Sequence, residues 1–118
     1  MPTTHTPRTL RASASLAAST AATCTEWDNS TKYGGLVAVR LTNGASAPTT
    51  APLVQIYVGE ATGVKRLLYA ATGDTVNSSV TDIVCEVPAS AMFVNVTITN
   101  GATNAITADA FAQELTTV

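Results

Sequence analysis

Met92-Phe93-Val94-Asn95-Val96-Thr97-Ile98-Thr99-Asn100-Gly101 is the stretch that decides the fold class. Its apolar residues recur at every second position. Met92, Val94, Val96 and Ile98 share one face of an extended chain, and Asn95, Thr97 and Thr99 share the other. Side chains alternate with this period in a strand, whereas a helix would spread them round its axis. Asn100-Gly101 then supplies strong turn chemistry.

Working outward, the same reading predicts strands at Leu36–Thr42, Leu53–Val58, Val64–Ala70, Val80–Val87 and Ile106–Leu115. A weaker one lies at Thr23–Trp27. Asp28-Asn29-Ser30, Asn43-Gly44, residues 59–63 and Thr72-Gly73-Asp74 punctuate them as turns. Turn signals about every ten residues are those of an all-β antiparallel sandwich, jelly-roll or Ig-like. One internal echo stands out: Val37 to Ser46 parallels Val94 to Thr103 at an offset of 57 residues, Asn-Gly included, which is either a pair of related units or the chance recurrence of Asn-Gly turns after Val-rich strands. Two such units suit a sandwich with pseudo-symmetric halves.

Residues 1–20 read differently. They are Thr-, Ser- and Ala-rich, and only Leu10 and Leu16 are large and apolar. This predicts an extended N-terminal arm ahead of a sandwich domain at 21–118. Arg8, Leu10, Arg11 and Leu16 are its candidate partner-binding residues. The Ser-broken run Ala12–Ala22 is not the unbroken apolar core of a signal peptide.

The composition fits one domain and excludes several functions. The 118 residues include 21 Thr, 20 Ala, 12 Val and 8 Leu, but only 12% are charged, against about 25% in a typical soluble domain. A net charge of −2 leaves no electrostatic footprint for nucleic acid. No apolar run has the length of a membrane-spanning helix.

Catalytic chemistry is thinly provided. The single His, His5, lies in the arm, so a Ser–His or Cys–His site is not expected. Glu26, Asp28, Glu60, Asp74, Asp82, Glu86 and Asp109 supply carboxylates, but six aromatic residues are few for a sugar-lined cleft. Asp82 and Glu86 fit a solvent-facing strand edge instead. No metal-ligand spacing or phosphate-binding glycine motif occurs, and no cofactor is expected. Cys24 and Cys85 read as small buried side chains. Trp27 reads as a core cap. Lys65-Arg66 suits a guarded edge strand. The three Asn-x-Ser/Thr triplets, at Asn29, Asn77 and Asn95, are what a Thr-rich chain contains by chance.

Asp28 to Tyr33-Gly34-Gly35, the strand after it, and Leu41-Thr42-Asn43-Gly44-Ala45 followed by Ala47-Pro48-Thr49 resemble a pattern in small structural proteins of tailed-phage virions. Ala47 stands where that pattern has Gly. The resemblance covers about residues 28–115, rests on turn chemistry, and carries over no catalytic residue. It implies a non-enzymatic virion β-sandwich that decorates or cements the capsid exterior after assembly in the host cytoplasm. Its partners would be the major capsid protein and further copies of itself, as dimer or trimer. The alternative is a head–tail connector, tail or head-fibre subunit, including one that binds host glycans. A low-charge surface suits such close contacts, because few ions must be desolvated.

Overall fold

The computed structural model describes residues 4–59 and 65–117. They form nine strands: β1 (Thr4–Leu16), β2 (Ala21–Thr23), β3 (Trp27–Asp28), β4 (Gly35–Asn43), β5 (Leu53–Gly59), β6 (Arg66–Thr72), β7 (Val80–Val87), β8 (Phe93–Thr99) and β9 (Ile106–Thr117). One sheet has the order β1-β9-β4-β7. The other has β2-β8-β5-β6, with β3 also paired to β8. Every pairing is antiparallel. A four-stranded and a five-stranded sheet so ordered make a jelly roll rather than an Ig-like sandwich. Val64 and the expected turn at 59–63 lie largely outside the described residues.

The alternation of the deciding stretch has a direct cause. Val94, Val96 and Ile98 of β8 are fully buried. They face Val37, Val39 and Leu41 of β4 and Ile106, Ala108, Ala110 and Ala112 of β9 across one core, which Val54 and Ile56 of β5 complete. Burying each large aliphatic side chain contributes about 1.5–3 kcal/mol. Met92 departs from the expected pattern: it precedes β8 and is exposed. Asn95 departs the other way. Its strand has neighbours on both sides, and the residue is buried.

The stretch 1–20 is extended, yet it does not stand apart from the sandwich. Over Thr4–Leu16 it is the edge strand β1, paired along β9 from Thr4↔Thr117 to Leu16↔Ile106. Leu10 and Leu16 belong to the core. A break between arm and sandwich at residue 20 is therefore not where the packing divides. An edge strand needs few inward side chains, so two leucines suffice to seat it.

Asn43-Gly44 does not close a hairpin. The chain crosses there from β4 to β5 in the opposite sheet, and Asn100-Gly101 crosses from β8 to β9 in the reverse sense. These two corners are alike in detail. The Asn43 N–H donates to the Ser79 carbonyl (2.9 Å), and the Asn100 N–H donates to the Thr20 carbonyl (2.9 Å). The Ser78 N–H reaches the Gly44 carbonyl (2.8 Å), as the Ser19 N–H reaches that of Gly101 (2.9 Å). Ser78 and Ser19 share the left-handed backbone conformation, with φ of 57° and 56°. The sequence echo thus corresponds to matching strand order and matching corners, with β1-β9-β4-β7 the counterpart of β6-β5-β8-β2.

Candidate interaction surface

The inward residues of β9 run Ile106, Ala108, Ala110, Ala112, Glu114, so an apolar series ends in a carboxylate. Glu114 is 1% exposed. A buried carboxylate needs strong partners, and two reach it. Trp27 on β3 donates its indole N–H to Oε2 (2.6 Å), and Arg8 on β1 donates Nε–H to the same oxygen (2.5 Å). Glu114 thereby ties β1 and β9 of one sheet to β3 of the other. Trp27 is fully buried, as a core cap should be.

All four candidate partner-binding residues of the N-terminal stretch are engaged within the chain. Arg8 pairs with Glu114. Leu10 and Leu16 are 4% and 6% exposed. Arg11 holds an irregular part of β1 by donating to the carbonyls of Ala108 (3.3 Å) and Ser15 (3.2 Å). The composition of residues 1–20 predicts an outside partner for these side chains. The fold uses them instead, because β9 would otherwise have an open edge and an unpaired buried charge.

What the fold leaves outside is the outer face of β1-β9-β4-β7. Its register aligns Thr9, Phe111, Ala38 and Val84 in one cross-strand row, and Pro7, Gln113, Leu36 and Glu86 in the next. Leu36, Phe111, Val84 and Val80 are exposed there. Asp109, Arg40 and Asp82 form a third row. Arg40 grips Asp82 with two bonds (2.7 and 3.1 Å). That contact holds the Asp82 carboxyl below its ordinary range and raises Arg40 further. The outer residues of β5 and β8 are Leu53, Gln55, Tyr57, Phe93, Asn95, Thr97 and Thr99, none of them charged.

The acids do not converge. Asp82 is taken by Arg40, and Glu86 sits in another row beside Leu36. Asp28 is a local cap: its Oδ1 accepts from the Ser30 hydroxyl (2.6 Å) and N–H (2.9 Å), which lower its pKa. Asp74 accepts from the Ser79 hydroxyl (2.7 Å), the Val76 N–H (3.1 Å) and the Asn43 amide (3.0 Å). Ser79 leads in pulling its pKa down. Glu60 lies outside the described residues. Among the described residues, no three His, Cys, Asp or Glu side chains are placed to share a metal ion, and no helix is long and apolar enough to cross a membrane.

His5 is held in β1 opposite Leu115, not loose in an arm. It lines an open groove of about 250 Å³ with Gly35, Leu36, Glu86, Gln113 and Leu115, which offers no nucleophile. Cys24 is buried and Cys85 half-buried, and neither is in a disulfide. Burial raises both thiol pKa values.

No protein-family model matches the chain, and no curated protein sequence matches it. Solved structures do. A subunit of Bacillus endospore appendages, described as disulfide-linked pili, is 16% identical with a TM-score of 0.59, over 100% of this chain and 93% of that one. VP2 in the subviral particle of infectious bursal disease virus is 9% identical with a TM-score of 0.64, over 97% of this chain and 33% of that one. This chain therefore spans about a third of VP2. YomS, from the SPBc2 prophage, is 13% identical with a TM-score of 0.51, over 96% of each chain. At these identities the likeness is one of fold: the protein is a jelly-roll sandwich of a form also found in a pilus subunit and a viral shell protein.

Proposed function

We propose that this protein is a non-enzymatic structural component of a bacteriophage virion. In this reading it decorates or cements the capsid exterior by lattice contacts with the major capsid protein and with copies of itself. The carrying observation is the outer face of β1-β9-β4-β7, where exposed Phe111, Val84, Leu36 and Val80 lie in cross-strand rows among four charged side chains, of which Arg40 and Asp82 pair with each other and Asp109 and Glu86 stand in the same rows. Such a face can be covered with little desolvation of charge. The fold supports the reading, since sandwiches of this form occur in a pilus subunit and a viral shell protein. The disulfide linkage named for the endospore appendages has no ready counterpart in Cys24, which is buried with a raised thiol pKa.

The test is the position and copy number of the protein in purified particles. Hundreds of copies spread over the shell support decoration. A ring of roughly 6 or 12 copies at a vertex supports the connector or tail role instead, and glycan-array binding supports a fibre role. Absence from particles overturns all three.

A further inference from the structure

β1 lies at the edge of its sheet, bonded on one side only, to β9. Its fit to that edge consists of a backbone ladder, two leucines in the core and Arg8 on a buried carboxylate. Nothing in that fit depends on β1 belonging to the same chain as β9. The complementary occupant of the site is therefore residue for residue the β1 of a second copy.

The site also cannot stand empty. Without β1, Glu114 would keep only the indole N–H of Trp27, and an unpaired buried carboxylate is costly. Opening is thus favoured only when another β1 arrives.

The correspondence of the corners marks the release point. At the corner between β6 and β7, Asp74 clamps Asn43, Val76 and Ser79 together. At the matching corner between β1 and β2, the residue 59 positions before Asp74 is Ser15, and no carboxylate is present. The Asn100 amide donates to the carbonyls of Leu16 (3.1 Å), Ala17 (3.3 Å) and Asn104 (2.9 Å). Its buried Oδ1 accepts no hydrogen bond. The corner that holds β1 has one hydroxyl bond of its own, from Thr20 to the Ala17 carbonyl (2.6 Å), but no carboxylate clamp, and is by that clamp the less firmly tied. Its four residues, 17–20, span ~13 Å when extended, enough to cross the ~10 Å between sheets. β1 itself, 13 residues long, reaches ~43 Å when straight, close to the 47 Å length of the molecule.

We propose that β1 is an exchangeable strand: residues 4–16 of one copy dock on β9 of another, seating Leu10 and Leu16 in its core and Arg8 on its Glu114, and so link copies of this chain. This extends the self-association in the proposed virion role but does not rest on it. Exchange can fail while particles carry the protein, and it can occur in a protein that particles lack.

Two experiments on the full chain test this. Deleting Ala17, Ala18 and Ser19 leaves two Cα–Cα steps between Leu16 and Ala21, ~7 Å, too short a corner for β1 to reach its own β9 across the ~10 Å between sheets. The expected result is at least a tenfold rise in the ratio of oligomer to monomer by light scattering, with Trp27 still in a native environment by fluorescence. Inserting Gly-Ser-Gly-Ser after Ala18 shifts the ratio the other way. The second experiment mixes an Arg8→Glu chain with a Glu114→Lys chain. Each is mismatched in itself, but exchange restores opposite charges at positions 8 and 114 in both seats; the Trp27 N–H of the Glu114→Lys chain loses its acceptor in either arrangement and so does not bias the comparison. Co-refolding should give 1:1 heteromers by native mass spectrometry, at least tenfold more populated than either variant's own folded form. A folded monomer from the shortened chain overturns the proposal, as does a mixture without heteromers. A shortened chain that folds at no concentration also overturns it, since β1 is then not accepted from a second copy.

Discussion

The two halves of the sandwich share a backbone plan and differ in what they expose. At one edge β1 places Leu10 and Leu16 in the core and Arg8 on Glu114. At the corresponding edge, β6 leaves Leu67, Leu68 and Tyr69 exposed, and β7 and the loop before it add Val76, Val80 and Val84. None of the exposed large hydrophobic residues lies on β1 or β2. Backbone hydrogen bonds at the corners set the common plan, so side chains are free to specialise the flanks. One flank is closed by the chain's own first strand, and the other offers apolar surface.

The corners themselves give the sharpest way to break this correspondence. A Cβ added to Gly101 would stand 1.7 Å from the Thr50 carbonyl oxygen, whereas at Gly44 it would meet nothing within 4 Å. Only backbone movement can relieve the first clash. Gly101→Ala should therefore cost about 4 kcal/mol or more, the range kept for single changes with a structural cause. Gly44→Ala should stay within about 0.5 kcal/mol. Urea denaturation of the two variants measures both. Equal effects would mean that the corners are equivalent after all.

The edge strands should separate next. Leu10→Ala removes a core side chain and should cost about 2–5 kcal/mol. Leu68→Ala, on an exposed strand, should cost within about 0.5 kcal/mol. If both prove mild, β1 is not seated as the burial of Leu10 implies.

How much of this was legible in the sequence depends on the range of the interaction that produces it. Strands such as Val80–Val87 were readable to the residue, because period-two burial and turn residues are local. The Asn-Gly echo was readable too, but not its meaning. A tight hairpin and a crossing between sheets begin with the same dipeptide, and the choice is made by distant turns at Ser19 and Ser78. β1 was hidden because Ala12 and Ala14, between its two buried leucines, stay exposed, and because its register slips around Arg11. Glu114 had a local sign, a carboxylate closing the apolar series of β9. Its partner Arg8 lies 106 residues away, beyond any local pattern.

That long-range pair supports a third contrast. Arg8→Ala leaves Glu114 buried with one donor. Since the Arg8 side chain is 45% exposed, water replaces part of the loss, and a cost of roughly 1–2 kcal/mol is expected from a charged hydrogen bond. Arg66→Ala on the opposite edge strand should be close to neutral. Thermal melts of the two variants decide whether the buried carboxylate distinguishes the edges.

The finest contrast is in pH. Hydrogen bonds from Ser79, Val76, Thr81 and Asn43 lower the folded-state pKa of Asp74 below its ordinary value of 3.8. A carboxyl whose pKa is lower folded than unfolded adds stability that is fully present above the unfolded value. That stability is lost as pH falls through the folded one. The Asn43 corner should therefore loosen on acidification below the ordinary value, while the Asn100 corner, without a carboxylate, should not loosen by this route. Amide exchange reads each corner separately: the Asn43 N–H reports on its bond to Ser79, and the Asn100 N–H on its bond to Thr20. Protection at Asn43 should fall relative to that at Asn100 as pH drops, and Asp74→Asn should abolish that pH dependence while lowering protection at Asn43 throughout. Parallel loss at both corners would show that the Asp74 network does not set the difference between the two halves.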